Sequence, residues 1–106
     1  MKDLSIDNLK EKDITDIKQL FHNASHYVSE RKISDYWLYT RLFGNTCLGA
    51  RSDDELVGVL LSFCDQTRNY QEIYIQDVVV RLDWRKKGVG SALIEEILKY
   101  SQELKV

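Results

Sequence analysis

Proline is absent from all 106 residues, so the chain contains nothing with the stiff, extended character of a proline-rich linker. Cysteine is scarce. Cys47 and Cys64 stand far apart, outside the close spacing of metal-binding or redox motifs, and read as two reduced structural thiols. His22 and His26 lie four residues apart, but no glutamate follows His22 and no third ligand is evident, so no metal site is expected. A bilayer-spanning run is also missing. The longest apolar stretch, Leu56 to Cys64, is interrupted by Gly58 and Ser62 and falls well short of the roughly 20 residues a spanning helix needs. It reads as a buried strand. Met1 to Asp7 carries acids instead of the apolar core of a secretory signal, so a cytoplasmic protein without a membrane partner is expected. The formal net charge of -2 exerts no overall pull toward nucleic acid, and no nucleic-acid partner is expected.

What remains is ordinary globular material. An apolar share of 43% and a charged share of 30% suit one small domain, with no room for a second. We therefore read residues 1–106 as a single domain. Leu4, Ile6 and Leu9 lie in a short, roughly alternating stretch that suits an opening strand. Asp13 resembles a helix cap, and after it Ile14, Ile17, Leu20, Phe21, Ala24 and Val28 recur at helical spacing. Ser34 is placed to cap a second helix with Trp37, Leu38 and Leu42 on its apolar side and Gly44 as its stop. Thr46 to Ala50 and Leu56 to Cys64 flank a turn containing Asp53 and Asp54, which predicts a hairpin. Asp65 to Tyr70 reads as a polar loop.

The segment from Glu72 to Arg81 has the strongest strand character. A glycine-containing turn follows, and then Val89, Ala92, Leu93, Ile97, Tyr100 and Leu104 mark a last helix. The order strand, helix, helix, strand, strand, strand, helix predicts an α+β (mixed α/β) layout with helices covering a largely antiparallel sheet. Its final strand is left with an open edge, which proteins normally pair or cover.

The turn after that strand carries the chemistry. Arg81, Arg85, Lys86 and Lys87 gather four cations in an otherwise acidic chain, and Gly88 and Gly90 open the helix behind them. A helix start offers amides without intrahelical partners and a partial positive charge, and glycine lets a phosphate approach the backbone. A P-loop is excluded for want of GxxxxGK. The dinucleotide fingerprint is excluded too, because position 93 is Leu93 and not a third glycine. A phosphate-binding turn unrelated to either motif stays open at this point.

The combination IxxVVVxxxW from Ile75 to Trp84, followed by RxxGxG from Arg85 to Gly90, resembles motif A of the Gcn5-related N-acetyltransferase (GNAT) family. The upstream element order agrees. The resemblance implies an acyl-CoA N-acyltransferase-like fold with acetyl-CoA as cosubstrate and a small-molecule or peptide amine as acceptor. Backbone amides from Arg85 through Gly90, with Lys86, Lys87, Val89 and Ser91, would hold the coenzyme pyrophosphate. Val78, Val79 and Val80 would pair their backbone with the pantetheine arm, and the Val78 amide would polarise the thioester carbonyl. Gln76 stands where many members carry a glutamate, which leaves Glu72 and Asp77 as the carboxylates of this strand. Strict alternation puts Glu72 and Gln76 on one face and Asp77 on the other, and Glu72 is taken as the candidate base. Tyr27, Tyr36, Trp37 and Tyr39 cluster in the region that shapes the family's acceptor pocket.

The match spans the first two thirds of such a domain, before its last strands and helix. That leaves a truncated chain, a homodimer completed through the exposed strand edge, and a noncatalytic coenzyme A-binding half-domain all open.

Overall fold

The computed structural model describes residues 4–24, 28–65 and 72–103. Among the described residues, four strands form one antiparallel sheet in sequential order, β1 (Ser5–Asn8), β2 (Leu48–Ser52), β3 (Glu55–Asp65) and β4 (Glu72–Val80). Helices α1 (Ile14–Asn23) and α2 (Ile33–Leu42) cover one face, and α3 (Val89–Glu103) covers the other. No helix among the described residues is long and apolar enough to cross a membrane.

The expected element order is found, with local corrections. Asp13 is buried but does not cap α1. Its carboxylate accepts the Lys10 amide at 2.9 Å and pairs with Arg51, tying the entry of α1 to β2. α1 stops at Asn23, so Val28 lies beyond it, although it still packs on the α1 side of the core. His26, Tyr27, Leu104 and the loop after Asp65 fall outside the described residues.

Lys32, not Ser34, precedes α2, and the buried face of this helix is not the one expected. Tyr36 and Thr40 point inward, whereas Trp37, Leu38 and Leu42 are exposed. The Tyr36 ring packs against Phe21 at 5.2 Å, and its hydroxyl accepts the Arg31 amide. A phenol with its polar end satisfied can be fully buried, and this is the signal that apolar counting missed.

β2 begins at Leu48 because Gly44–Thr46 forms a 3-10 turn. The Thr46 hydroxyl and Cys47 thiol both donate to the Ser62 carbonyl, at 2.8 and 3.3 Å. The β2–β3 hairpin turns through Asp53 and Asp54, both left-handed at φ 51 and 65, as a tight two-residue hairpin requires.

α3 sits close against the sheet through Gly58. A Cβ there would lie 2.6 Å from Val89 Cγ1 and 3.2 Å from Leu93 Cδ1. Val89, Leu93 and Ile97 are fully buried against Val57 and Leu60, each such burial stabilising by about 1.5–3 kcal/mol. This docking fixes where α3 begins and therefore where the preceding turn lies.

Candidate functional site

The chain leaves β4 at Arg81, whose amide donates to Val57 O at 2.8 Å. Amides alternate between the two sides of an extended strand. Those of Val78 and Val80 consequently face the edge of β4 away from β3, an edge that carries no strand among the described residues. Val79 differs from the expectation. It pairs with Val59, its amide points into the sheet, and its side chain is buried under α1 and α2.

Leu82–Trp84 then forms a 3-10 turn, after which Arg85 is extended and Lys86 and Gly88 are left-handed, at φ 62 and 84. Lys86 in that region is strained, whereas Gly88 adopts it freely. Ala92 closes the first turn of α3 by donating to Gly88 O at 2.9 Å. The amides of Val89, Gly90 and Ser91 therefore precede the first helical bond. Those of Lys86, Lys87 and Gly88 donate to no backbone carbonyl among the described residues. The Arg85 amide donates to Leu82 O at 3.4 Å.

A cavity of about 510 Å³ opens at this place. One wall is β4, through Val78 and Val80; the other is the turn, through Trp84, Arg85, Lys86, Gly88, Val89, Gly90 and Ser91. Gly90 matters because a Cβ there would reach 3.8 Å from Val80 and 3.9 Å from Val78, partly filling the gap between helix and strand. Lys87 does not line the cavity. Its Nζ lies 5.3 Å from the centre of the Trp84 ring, an aromatic wall to which sequence reasoning assigned no role.

The four-cation expectation is also reduced. Arg81 donates to Asp83 at 2.7 and 3.0 Å and to Glu55 at 3.0 Å. The hydrogen bond from Arg81 holds the Asp83 carboxyl below its usual range.

The other face of β4 departs further from strict alternation. Leu61 pairs with Asp77 and Ser62 with Ile75, so Gln76 is an extra residue in a β-bulge. The bulge reverses the phase of the strand. Glu72, Tyr74 and Asp77 all face α2, where alternation separates Glu72 from Asp77; Tyr74 stacks on Phe63, and Asp77 reaches Arg31. Arg31 donates to one Asp77 oxygen from Nε at 3.0 Å and from Nη2 at 2.8 Å. Glu72, at the far end of β4, accepts the Tyr74 hydroxyl. It is separate from the amide-lined cavity.

A family model described as the acetyltransferase (GNAT) family matches residues 12–106. The chain belongs to this family. Comparison with curated protein sequences returns no match, so among sequence comparisons the membership rests on the family model. Solved GNAT structures agree in fold. Diaminobutyrate acetyltransferase EctA from Paenibacillus lautus, in complex with L-2,4-diaminobutyric acid and coenzyme A, superposes with a TM-score of 0.84 at 17% identity over 92% of this chain. Ribosomal-protein-alanine N-acetyltransferase from Brucella melitensis gives 0.76 at 20% identity over 95% of this chain. An aminoglycoside acetyltransferase from an uncultured soil metagenomic sample, in complex with sisomicin, gives 0.70 at 22% over 94%. The chain spans 58%, 73% and 70% of these three proteins respectively. The fold is thus that of the GNAT acyl-CoA N-acyltransferases, and it is shared by proteins named for quite different amine acceptors.

Proposed function

We propose that this GNAT chain carries the acetyl-CoA site of an N-acetyltransferase acting on a primary amine. The observation behind the reading is the open cavity in which the free edge of β4 meets the start of α3. Amides from Lys86 through Ser91 suit a diphosphate, and Gly88 and Gly90 allow its close approach. The pantetheine arm is peptide-like, and the outward amides of Val78 and Val80 are disposed to pair with it as an added strand would. In this reading the Val78 amide donates to the thioester carbonyl as charge develops on its oxygen.

The chemistry asks little of the protein beyond positioning. The amine nitrogen bonds to the acetyl carbon, the carbon–sulfur bond breaks, and the thiolate departs with the electron pair. An alkylammonium has to lose its proton first, at a cost of roughly 4 kcal/mol for three units of pKa at neutral pH. Asp77 is held by Arg31 and acts as a positioning group. Glu72, with its Tyr74 hydrogen bond, is the candidate to receive that proton through water.

A second reading, a noncatalytic coenzyme A-binding module, has one observation in its favour: no strand lies beyond β4 among the described residues to form the far wall of a pantetheine cleft. Two measurements separate these readings. A melting scan should show stabilisation by acetyl-CoA beyond that by simple nucleotides, and thiol release should appear when amines are added. Stabilisation without release under any amine supports the binding module. Equal stabilisation by ADP points to a general phosphate site.

A further inference from the structure

A backbone amide that is to meet a thioester carbonyl needs a fixed direction, and the sheet fixes the Val78 amide from one side only. Among the described residues β4 is paired with β3 and with no strand beyond it. The register between the two shifts at Gln76, immediately before Asp77. An extra residue in a strand disrupts the ladder locally and lets the chain bend. The peptide joining Asp77 to Val78 therefore lies where the ladder holds the strand least.

A second support reaches this peptide from 46 residues away in sequence. Arg31, on the connection between α1 and α2, donates from Nε at 3.0 Å and from Nη2 at 2.8 Å to the same oxygen of Asp77. Two donors on one oxygen set both its distance and its direction. Arg31 is itself held at both ends. Its amide donates to the Tyr36 hydroxyl at 3.0 Å, and its guanidinium carbon lies 5.7 Å from the centre of the Tyr39 ring. Tyr36 is fully buried and packs on Phe21 at 5.2 Å. The brace thus runs from the packed side of α2, through Arg31 and Asp77, to the residue before Val78.

Stability gives this pair little reason to exist. Taking two mostly buried charges out of water costs about as much as their attraction returns, and apolar replacements of similar volume are often neutral or better. What such a pair supplies is direction. We propose that Arg31 is a positioning residue for acetyl transfer: acting through Asp77, it holds the Val78 amide in line with the thioester carbonyl. This rests on the acetyltransferase reading. A donor serves the developing oxyanion only when preorganised toward it, and a misplacement of about 1 Å can cost roughly 100-fold in rate. The bulge turns the Asp77 side chain toward α2, and the brace then fixes the strand where the bulge loosened it.

The test reads the Val78 and Val80 amides by NMR in the isotope-labelled full chain, titrated in turn with coenzyme A and with acetyl-CoA. In the native sequence both ligands should displace Val80. Acetyl-CoA should displace Val78 further than coenzyme A does, because only the thioester brings the acetyl carbonyl. Arg31→Met should abolish this acetyl-specific displacement and leave the acetyl-CoA concentration that half-saturates Val80 unchanged. Arg31→Lys, which keeps a charged donor without the fork, should restore part of it. Arg31→Met combined with Asp77→Leu regains stability by removing the unmatched charge, yet should still lack the Val78 displacement, which separates positioning from folding. Return of the displacement along with stability in the double variant, or its full retention in Arg31→Met, overturns the proposal. So does a native Val78 that responds equally to both ligands. If neither ligand moves Val78 or Val80 in the native chain, the acetyltransferase reading itself falls and the proposal falls with it.

Discussion

Two glycines in one turn do different work, and substitution separates them. Gly88 is needed for its φ of 84, with open space where a Cβ would stand. Gly88→Ala should therefore lower stability by about 1 kcal/mol through backbone strain alone, seen as an earlier midpoint in denaturant. Gly90 is helical, and its missing Cβ faces Val78 and Val80. Gly90→Ala should leave the fold unchanged or stabilise it by about 0.5 kcal/mol, yet weaken acetyl-CoA binding by roughly 10-fold, about 1.4 kcal/mol. A parallel fall in both quantities for Gly90→Ala would contradict the cavity geometry. Cys47 gives a third test at this scale. Burial is the main cause that pushes its thiol up to about 12, and only the thiolate reacts with alkylating agents. Iodoacetamide at pH 8 should thus leave Cys47 unmodified in the native protein and label it after unfolding, as mass spectrometry of the digested protein would report.

At the scale of elements, the contact of α3 with β3 sets the site. Gly58→Ala places a methyl 2.6 Å from Val89 Cγ1, and overpacking of this kind costs about 1–3 kcal/mol. Val89 is the first residue of α3 and lines the amide cavity. The loss should therefore extend to function, with reduced acetyl-CoA stabilisation even though Gly58 itself lies outside the cavity. The link between the α1–α2 connection and β4 is the Arg31–Asp77 pair, with side chains 25 and 18% exposed. Arg31→Met should cost about 1–2 kcal/mol, between the values of exposed and buried pairs. Adding Asp77→Leu should recover much of that loss, because the unmatched charge is then gone. A double-mutant cycle in urea checks this.

For the whole molecule, the outer edge of β4 and the start of α3 are the two features the site depends on, and in the proposed reading one ligand engages both. Acetyl-CoA at about 100 times its dissociation constant should add about 2.7 kcal/mol to stability, visible as a higher melting temperature. A strand edge of this kind also invites a second copy of the chain. If copies pair there, they compete with pantetheine for the same amides. Sedimentation should then show any dimer dissolving as acetyl-CoA is added, and a dimer indifferent to the ligand would place its interface elsewhere.

The order of elements, the hairpin at Asp53–Asp54 and the glycine turn were legible in the chain itself, because helical spacing, strand propensity and turn chemistry are local properties. So was the family pattern from Ile75 to Gly90. Tertiary structure decided what local rules cannot express. Arg81 is held by Glu55 because the fold brings β3 beside the turn, in addition to its local pair with Asp83. Tyr36 is inside and Trp37 outside because a buried hydroxyl found the Arg31 amide. Glu72 and Asp77 share a face because one extra residue, Gln76, breaks the period of β4. A bulge exists only relative to the strand paired with it, so no reading of β4 alone could have supplied that phase.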